Sequence, residues 1–129
     1  MSTPIRAAVI TVSDACSRGE RADDSGAALV ELLVELGADI VAKEILSDDL
    51  APLVQKVEEI VKRGDVNLVI TTGGTGLGPR DNTPEATRQV IEREAPGIAE
   101  AIRAESLKVT KMAMISRGVA GVASGTLII

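Results

Sequence analysis

The chain has 129 residues, enough for one domain with a real core, and a formal net charge of −5. Hydrophobic residues make up 45% but Phe, Trp and Tyr are absent, so there are no rings on which single-stranded nucleic acid could stack. The negative charge attracts no polyanion, and nucleic acid is not an expected partner. There is no His, the commonest general base and usual zinc ligand, and the one cysteine, Cys16, permits no internal disulfide. Chemistry must therefore come from carboxylates, hydroxyls, Lys, Arg, backbone dipoles or a bound cation.

Ile5 to Ser13 is a near-continuous apolar run and predicts a central strand buried on both faces. The polar stretch from Asp14 to Asp24 predicts a loop. Asp24-Ser25-Gly26 then opens a helix, with Asp24 as its expected cap. Leu29, Leu32, Leu33 and Leu36 recur at i, i+3, i+4 and i+7 and read as a core stripe, which Gly37 stops. Ala38 to Leu46 predicts a second strand, more polar and so nearer an edge. After Ser47-Asp48-Asp49, a second stripe of Leu50, Leu53, Val54, Val57, Ile60 and Val61 predicts a helix to Arg63, ended by Gly64. One of Asp48 and Asp49 is expected to cap that helix, which leaves the other to face a site.

Val66 to Ile70 predicts a third, buried strand, and a glycine-rich stretch from Thr71 to Pro84 follows it. Thr83 reads as an N-cap and Pro84 as the first residue of a helix reaching Arg93. Glu94 to Gly97 breaks that helix, and Ile98 to Val109 predicts another. Met112 to Ser116 is open between helical turn and strand. Gly118–Val122 and Thr126–Ile129 read as short strands around Ala123-Ser124-Gly125, a hairpin. No run approaches the ~20 apolar residues of a membrane span, and Met1 to Arg6 lacks the regions of a signal peptide, so a cytoplasmic protein is expected.

Alternating strands and helices predict a mostly parallel α/β sheet with right-handed crossovers. Ligands in such folds sit beyond the carboxyl ends of the strands, at a switch point. The three strongest strands end in Ser13-Asp14, Ser47-Asp48-Asp49 and Thr71-Thr72-Gly73-Gly74, so parallel neighbours would bring these polar ends to one edge. Gly73, Gly74, Gly76 and Gly78 let the backbone approach a ligand and present N–H groups to phosphate. Arg80 suits phosphate, and Asp81 suits a hard cation such as Mg²⁺. A glycine-rich turn with a surface ion pair has the same composition. The loop is neither a P-loop nor the dinucleotide fingerprint. Ser25 and Gly26 offer a hydroxyl and an N–H to an anion. Asp14 divides between site and turn, Glu100 reads as solvated surface, and Ser116 has no independent warrant.

Thr72-Gly73-Gly74-Thr75-Gly76 followed by Arg80-Asp81-x-Thr83-Pro84 resembles the most specific signature of the MogA/MoaB family of molybdenum cofactor biosynthesis proteins. Val12-Ser13-Asp14, Asp24-Ser25-Gly26, Pro96-Gly97 and Ser116-Arg117-Gly118-Val119-Ala120-Gly121 extend the resemblance over nearly the whole chain. It implies a three-layer α/β/α sandwich that forms trimers or hexamers and adenylylates molybdopterin with ATP and Mg²⁺, with a molybdenum insertase downstream. It implies Asp81 and Asp48 as catalytic, metal-holding carboxylates and Gly73 to Gly76 as the nucleotide pocket. Thr72, Arg80, Ser13, Asp14, Ser25, Gly26, Glu100 and Ser116 would lie around that pocket. Residues 1–129 would be a single molybdopterin-binding-like domain without the family's C-terminal segment, which follows Thr-Leu-Ile-Ile in its other members. The rival expectations are a non-catalytic pterin-phosphate binder and a structural oligomerisation module, and a tungsten-pathway pterin is an alternative substrate.

Overall fold

A computed structural model describes residues 3–129. Strand β1 (Arg6–Val12) leads through a one-turn helix α1 (Asp14–Ser17) to α2 (Asp24–Glu35), β2 (Asp39–Leu46), α3 (Leu50–Arg63) and β3 (Leu68–Thr72). Then come α4 (Thr83–Val90), β4 (Arg93–Glu94), α5 (Pro96–Leu107), a 3₁₀ turn at Lys111–Ile115, and the hairpin β5 (Gly121–Ala123) and β6 (Thr126–Ile128). The six strands form one sheet in the order β2-β1-β3-β6-β5-β4. The β2, β1, β3 and β6 pairings are parallel, and β5 runs antiparallel to both β6 and β4.

Alternation along β1 divides the core into two layers. Ala8, Ile10 and Val12 meet Leu53, Val57, Ile60 and Val61 of α3 and Ala86 of α4. Ala7 and Val9 face Leu33, Leu29 and Val30 of α2 on the other side. With no aromatic rings, aliphatic side chains fill both layers, and β1 is buried from Ala7 to Val12 as its composition predicted. The more polar β2 lies at the sheet edge.

Several local expectations are corrected. The stretch after β1 is not all loop, because Ser13 Oγ accepts from the Cys16 N–H (3.2 Å) and caps α1. Asp23, not Asp24, caps α2: its carboxylate accepts from Gly26 N and from the Thr11 hydroxyl. Thr83 is the first residue of α4 rather than its cap, since its hydroxyl donates to the Gly73 carbonyl (2.8 Å). That helix ends at Val90, and Arg93 is already in β4, where pairing with β5 replaces helical bonds. The α3 stripe is core, but the α2 stripe is only half so: Leu33 is buried while Leu32 and Leu36 are 57% and 74% exposed. The helix expected over Ile98–Val109 runs Pro96–Leu107, so Val109 lies beyond its end.

Candidate functional site

The connections reverse direction at β1, since β2 lies on one side of it and β3 on the other. This is the switch point at which an open α/β sheet has its crevice. In register, Val12 pairs with Leu46 and Thr11 with Thr72, so the polar ends of all three strands meet at one edge. Gly73 leaves β3 at φ +97°, and a Cβ there would collide with the Val12 carbonyl. Only glycine lets the loop cross the end of β1 this closely. Gly74 follows at φ +69°, packed against the Thr83 hydroxyl and the Asp48 carboxylate.

Among the described residues, no protein acceptor takes the N–H groups of Gly73, Gly74, Thr75 or Gly76. A row of unpaired amides at a strand end is an anion cradle. Asp81 closes the loop: its Oδ2 accepts from the Gly78 N–H (2.9 Å), and its own N–H donates to Gly78 O (3.0 Å). A Cβ on Gly76 or Gly78 would stand 2.9 Å from that carboxylate, so a side chain at either position would displace it.

Asp48 and Asp14 lock the other two strand ends reciprocally. The Asp14 N–H donates to Asp48 Oδ2 and the Asp48 N–H to Asp14 Oδ1, both at 3.0 Å. Asp49 holds the N-cap position of α3 without a side-chain cap bond, so neither carboxylate caps the helix as expected: Asp48 packs beside Gly74 and Asp49 faces Arg80 of the same loop. Arg80 bridges Asp14 (Nε to Oδ2, 2.7 Å) and Asp49 (Nη2 to Oδ1, 2.9 Å). Its hydrogen bonds, with the Asp48 N–H, hold the Asp14 carboxyl well below the usual range. Asp48 is pushed upward, first by burial and then by the charges of Asp14 and Asp81, against the Asp14 N–H and Arg80. It is thus a carboxylate crowded by negative charge, which an added cation would relieve.

Beside the loop lies a cavity of about 360 Å³. Ser25, Thr72, Gly73, Thr75 and Ser116 line it, with Leu29, Ile70, Ile102 and Val119 as apolar walls. Ser13 lines a smaller groove of about 80 Å³ that shares Ser25, Thr72 and Gly73. Gly74, Gly76, Asp14, Asp48, Arg80 and Asp81 line neither space and lie at the strand ends and loop beside them, and Gly26 and Glu100 are also outside both. The Gly26 N–H is spent on Asp23 (3.0 Å), and a Cβ there would strike Asp23 and Thr11, so this glycine serves close packing. Glu100 is exposed on α5, whose Ala99 and Arg103 reach the cavity instead. Sequence reasoning missed Arg103, which donates to the carbonyls of Ser116 (3.3 Å) and Gly118 (3.0 Å), and Asn82, which donates to Asp48 O (3.0 Å). Asn82 follows Asp81 directly, but nothing in its spacing indicates a partner on another strand end.

The family described as "Probable molybdopterin binding domain" matches residues 8–129. The chain belongs to this family. It is 41% identical over 122 residues to the molybdenum cofactor synthesis protein cinnamon of Drosophila melanogaster, covering 94% of this chain but 20% of that protein. It is 38% identical over 127 residues to the molybdopterin adenylyltransferase of Helicobacter pylori strain J99, covering 97% of this chain and 72% of that one. The crystal structure of the molybdopterin biosynthesis enzyme MoaB from Thermus thermophilus superposes with a TM-score of 0.89 at 44% identity, covering 96% and 78%. The family's fold, a mostly parallel sheet between helical layers, is the fold described above.

Proposed function

We propose that the chain acts in molybdenum cofactor biosynthesis as a nucleotidyltransferase, adenylylating molybdopterin with ATP and releasing pyrophosphate. The observation that carries this reading is the convergence of Asp48, Asp81 and four unpaired loop amides at the ends of three parallel strands. The similarity to a protein named molybdopterin adenylyltransferase supports it.

The reaction needs positioning more than proton transfer. A terminal phosphate oxygen of molybdopterin, already anionic, attacks the α-phosphorus of ATP. The bond to the bridging oxygen breaks and pyrophosphate leaves with its electron pair. No strong general base is required, which suits a chain without His. The amides of Gly73 to Gly76 are preorganised donors for phosphate oxygens. The cavity walls of Leu29, Ile70, Ile102 and Val119 would seat a ring. Arg80 reaches a phosphate only by exchanging Asp14 and Asp49 for it.

Asp48 and Asp81 are hard oxygen donors of the kind Mg²⁺ takes. Among the described residues no group of three or more acidic or cysteine side chains could hold a metal alone. Mg²⁺ commonly uses one or two carboxylates and completes its shell with phosphate oxygens and water. Held by Asp48 and Asp81, it would supply charge neutralisation and a template for the phosphates. A cytoplasmic homotrimer or hexamer that hands its product to a molybdenum insertase belongs to the same proposal. The exposed apolar side chains of α2 support the assembly.

The test is pyrophosphate release from Mg-ATP with and without molybdopterin. Release that depends on the pterin is expected. A folded chain that binds the pterin and ignores Mg-ATP would mean a binding protein instead.

A further inference from the structure

Arg117 joins three separate parts of the site. It stands just past the 3₁₀ turn, far in sequence from the glycine loop. Its backbone N–H donates to Thr75 O (2.8 Å), its Nε to Gly76 O (2.8 Å) and its Nη2 to Asp81 O (2.9 Å). Nη1 and Nη2 also pair with the two Glu85 carboxylate oxygens of α4, at 2.8 and 3.2 Å. The guanidinium thus spends its fork on the protein, its charge is matched by Glu85, and it is not a free phosphate receptor.

Arg117 grips the loop through its backbone carbonyls. Gly73, Gly74, Gly76 and Gly78 leave the backbone few conformational limits. Between Thr75 and Asp81 the internal bonds are those between Gly78 and Asp81. The ends of the loop are tied by Thr83 to the Gly73 and Gly74 carbonyls and by Asn82 to Asp48 O, and the Arg80 side chain pairs with Asp14 and Asp49; among the described residues the carbonyls of Thr75, Gly76 and Asp81 are all taken by Arg117.

We infer that Arg117 is a positioning residue: by holding the carbonyls of Gly76 and Asp81, with Glu85 fixing its guanidinium, it sets where the Asp81 carboxylate and the loop amides stand. The effect on the loop rests on geometry alone, and the effect on turnover rests on the adenylyl-transfer reading. Lysine has the charge, but its three donors sit on one nitrogen and cannot replace the four bonds that Arg117 makes from Nε, Nη1 and Nη2.

Hydrogen exchange at the Gly78, Asp81 and Thr83 amides tests the loop, with pyrophosphate release followed against Mg²⁺ concentration. Both are read on the wild type, Arg117→Ala, Arg117→Lys and Glu85→Gln. Arg117→Ala is expected to speed exchange at these amides about tenfold or more while exchange in β1 stays unchanged. Turnover should fall by roughly a hundredfold, the scale of an ångström's misplacement, and half-activation should move to higher Mg²⁺. Arg117→Lys should stay impaired, Glu85→Gln should lie between, and millimolar guanidinium should partly restore Arg117→Ala. Wild-type exchange at the three amides in Arg117→Ala overturns the inference, as does a loosened loop with undiminished turnover. If Arg117→Ala does not fold, the same two readouts on Glu85→Gln decide it. A wild type without pterin-dependent release defeats the adenylyl-transfer reading instead, and the exchange data still decide whether Arg117 sets the loop.

Discussion

Asp14 and Asp48 exchange backbone hydrogen bonds across two strand ends, yet their titrations are displaced in opposite directions. Asp14 is depressed, so its contribution to stability is present above the ordinary carboxyl value of about 3.9 and is lost as pH falls toward its folded value. Asp48 is raised, so its contribution is present at acid pH and is lost as pH rises through its folded value. Asp48→Asn keeps an oxygen acceptor for the Asp14 N–H and removes the crowded charge. It is expected to raise Tm at pH 7 by roughly 1–3 °C and not at pH 3, while abolishing turnover. A Tm series against pH, run beside pyrophosphate release, checks both halves. Asp14→Asn should lower Tm at pH 7 and converge with the wild type in acid. Asp81→Ala should end turnover and leave the circular dichroism spectrum intact; an active, folded variant would remove Asp81 from the mechanism.

At the scale of elements, α2 and α3 carry similar apolar stripes with different fates. The α3 stripe lies on the sheet, and Leu53 is buried against β1. Of the α2 stripe only Leu33 is buried, with Leu29 partly so and Leu32 and Leu36 exposed. Leu53→Ala is therefore expected to cost about 2–5 kcal/mol in urea unfolding. Leu36→Ala should change stability by less than about 0.5 kcal/mol. Equal costs would show that something covers α2 in solution. Periodicity identified both helices because it reports a face, but a face carries no record of what packs on it. Helix ends were less legible for a related reason. Asp23, Thr83 and Asn82 each had a choice of partners, and the chosen ones, Thr11, Gly73 and Asp48, lie on other elements.

Across the whole molecule, the parallel order β2-β1-β3 converts three unrelated polar strand ends into one edge. Leu32, Val34 and Leu36 at α2, and separately Val109, Met112 and Met114 near the 3₁₀ turn, are exposed in a single copy of the chain. Under the trimer or hexamer reading, sedimentation equilibrium should give three or six times the 13.4 kDa chain mass. A monomer at micromolar concentration would set that part of the proposal aside.

The sequence by itself determined the alternation of strands and helices, the central place of β1, the edge place of β2 and the C-terminal hairpin. Each of these follows from apolar periodicity or from glycine at a turn, which are local properties. It also singled out the glycine-rich stretch from Thr71 to Pro84 as the candidate site, because closely spaced glycines before Arg80 and Asp81 suit a phosphate and a cation. Only the tertiary structure decided that Asp48 packs beside Gly74 while Asp49 faces Arg80, and that Gly26 packs against Asp23 and Thr11. It alone gave Arg80 to Asp14 and Asp49, and brought Arg117 across the chain to brace Asp81. A charged side chain states what it can pair with, but the partner is chosen by which strand ends and loops the sheet brings within about 3 Å.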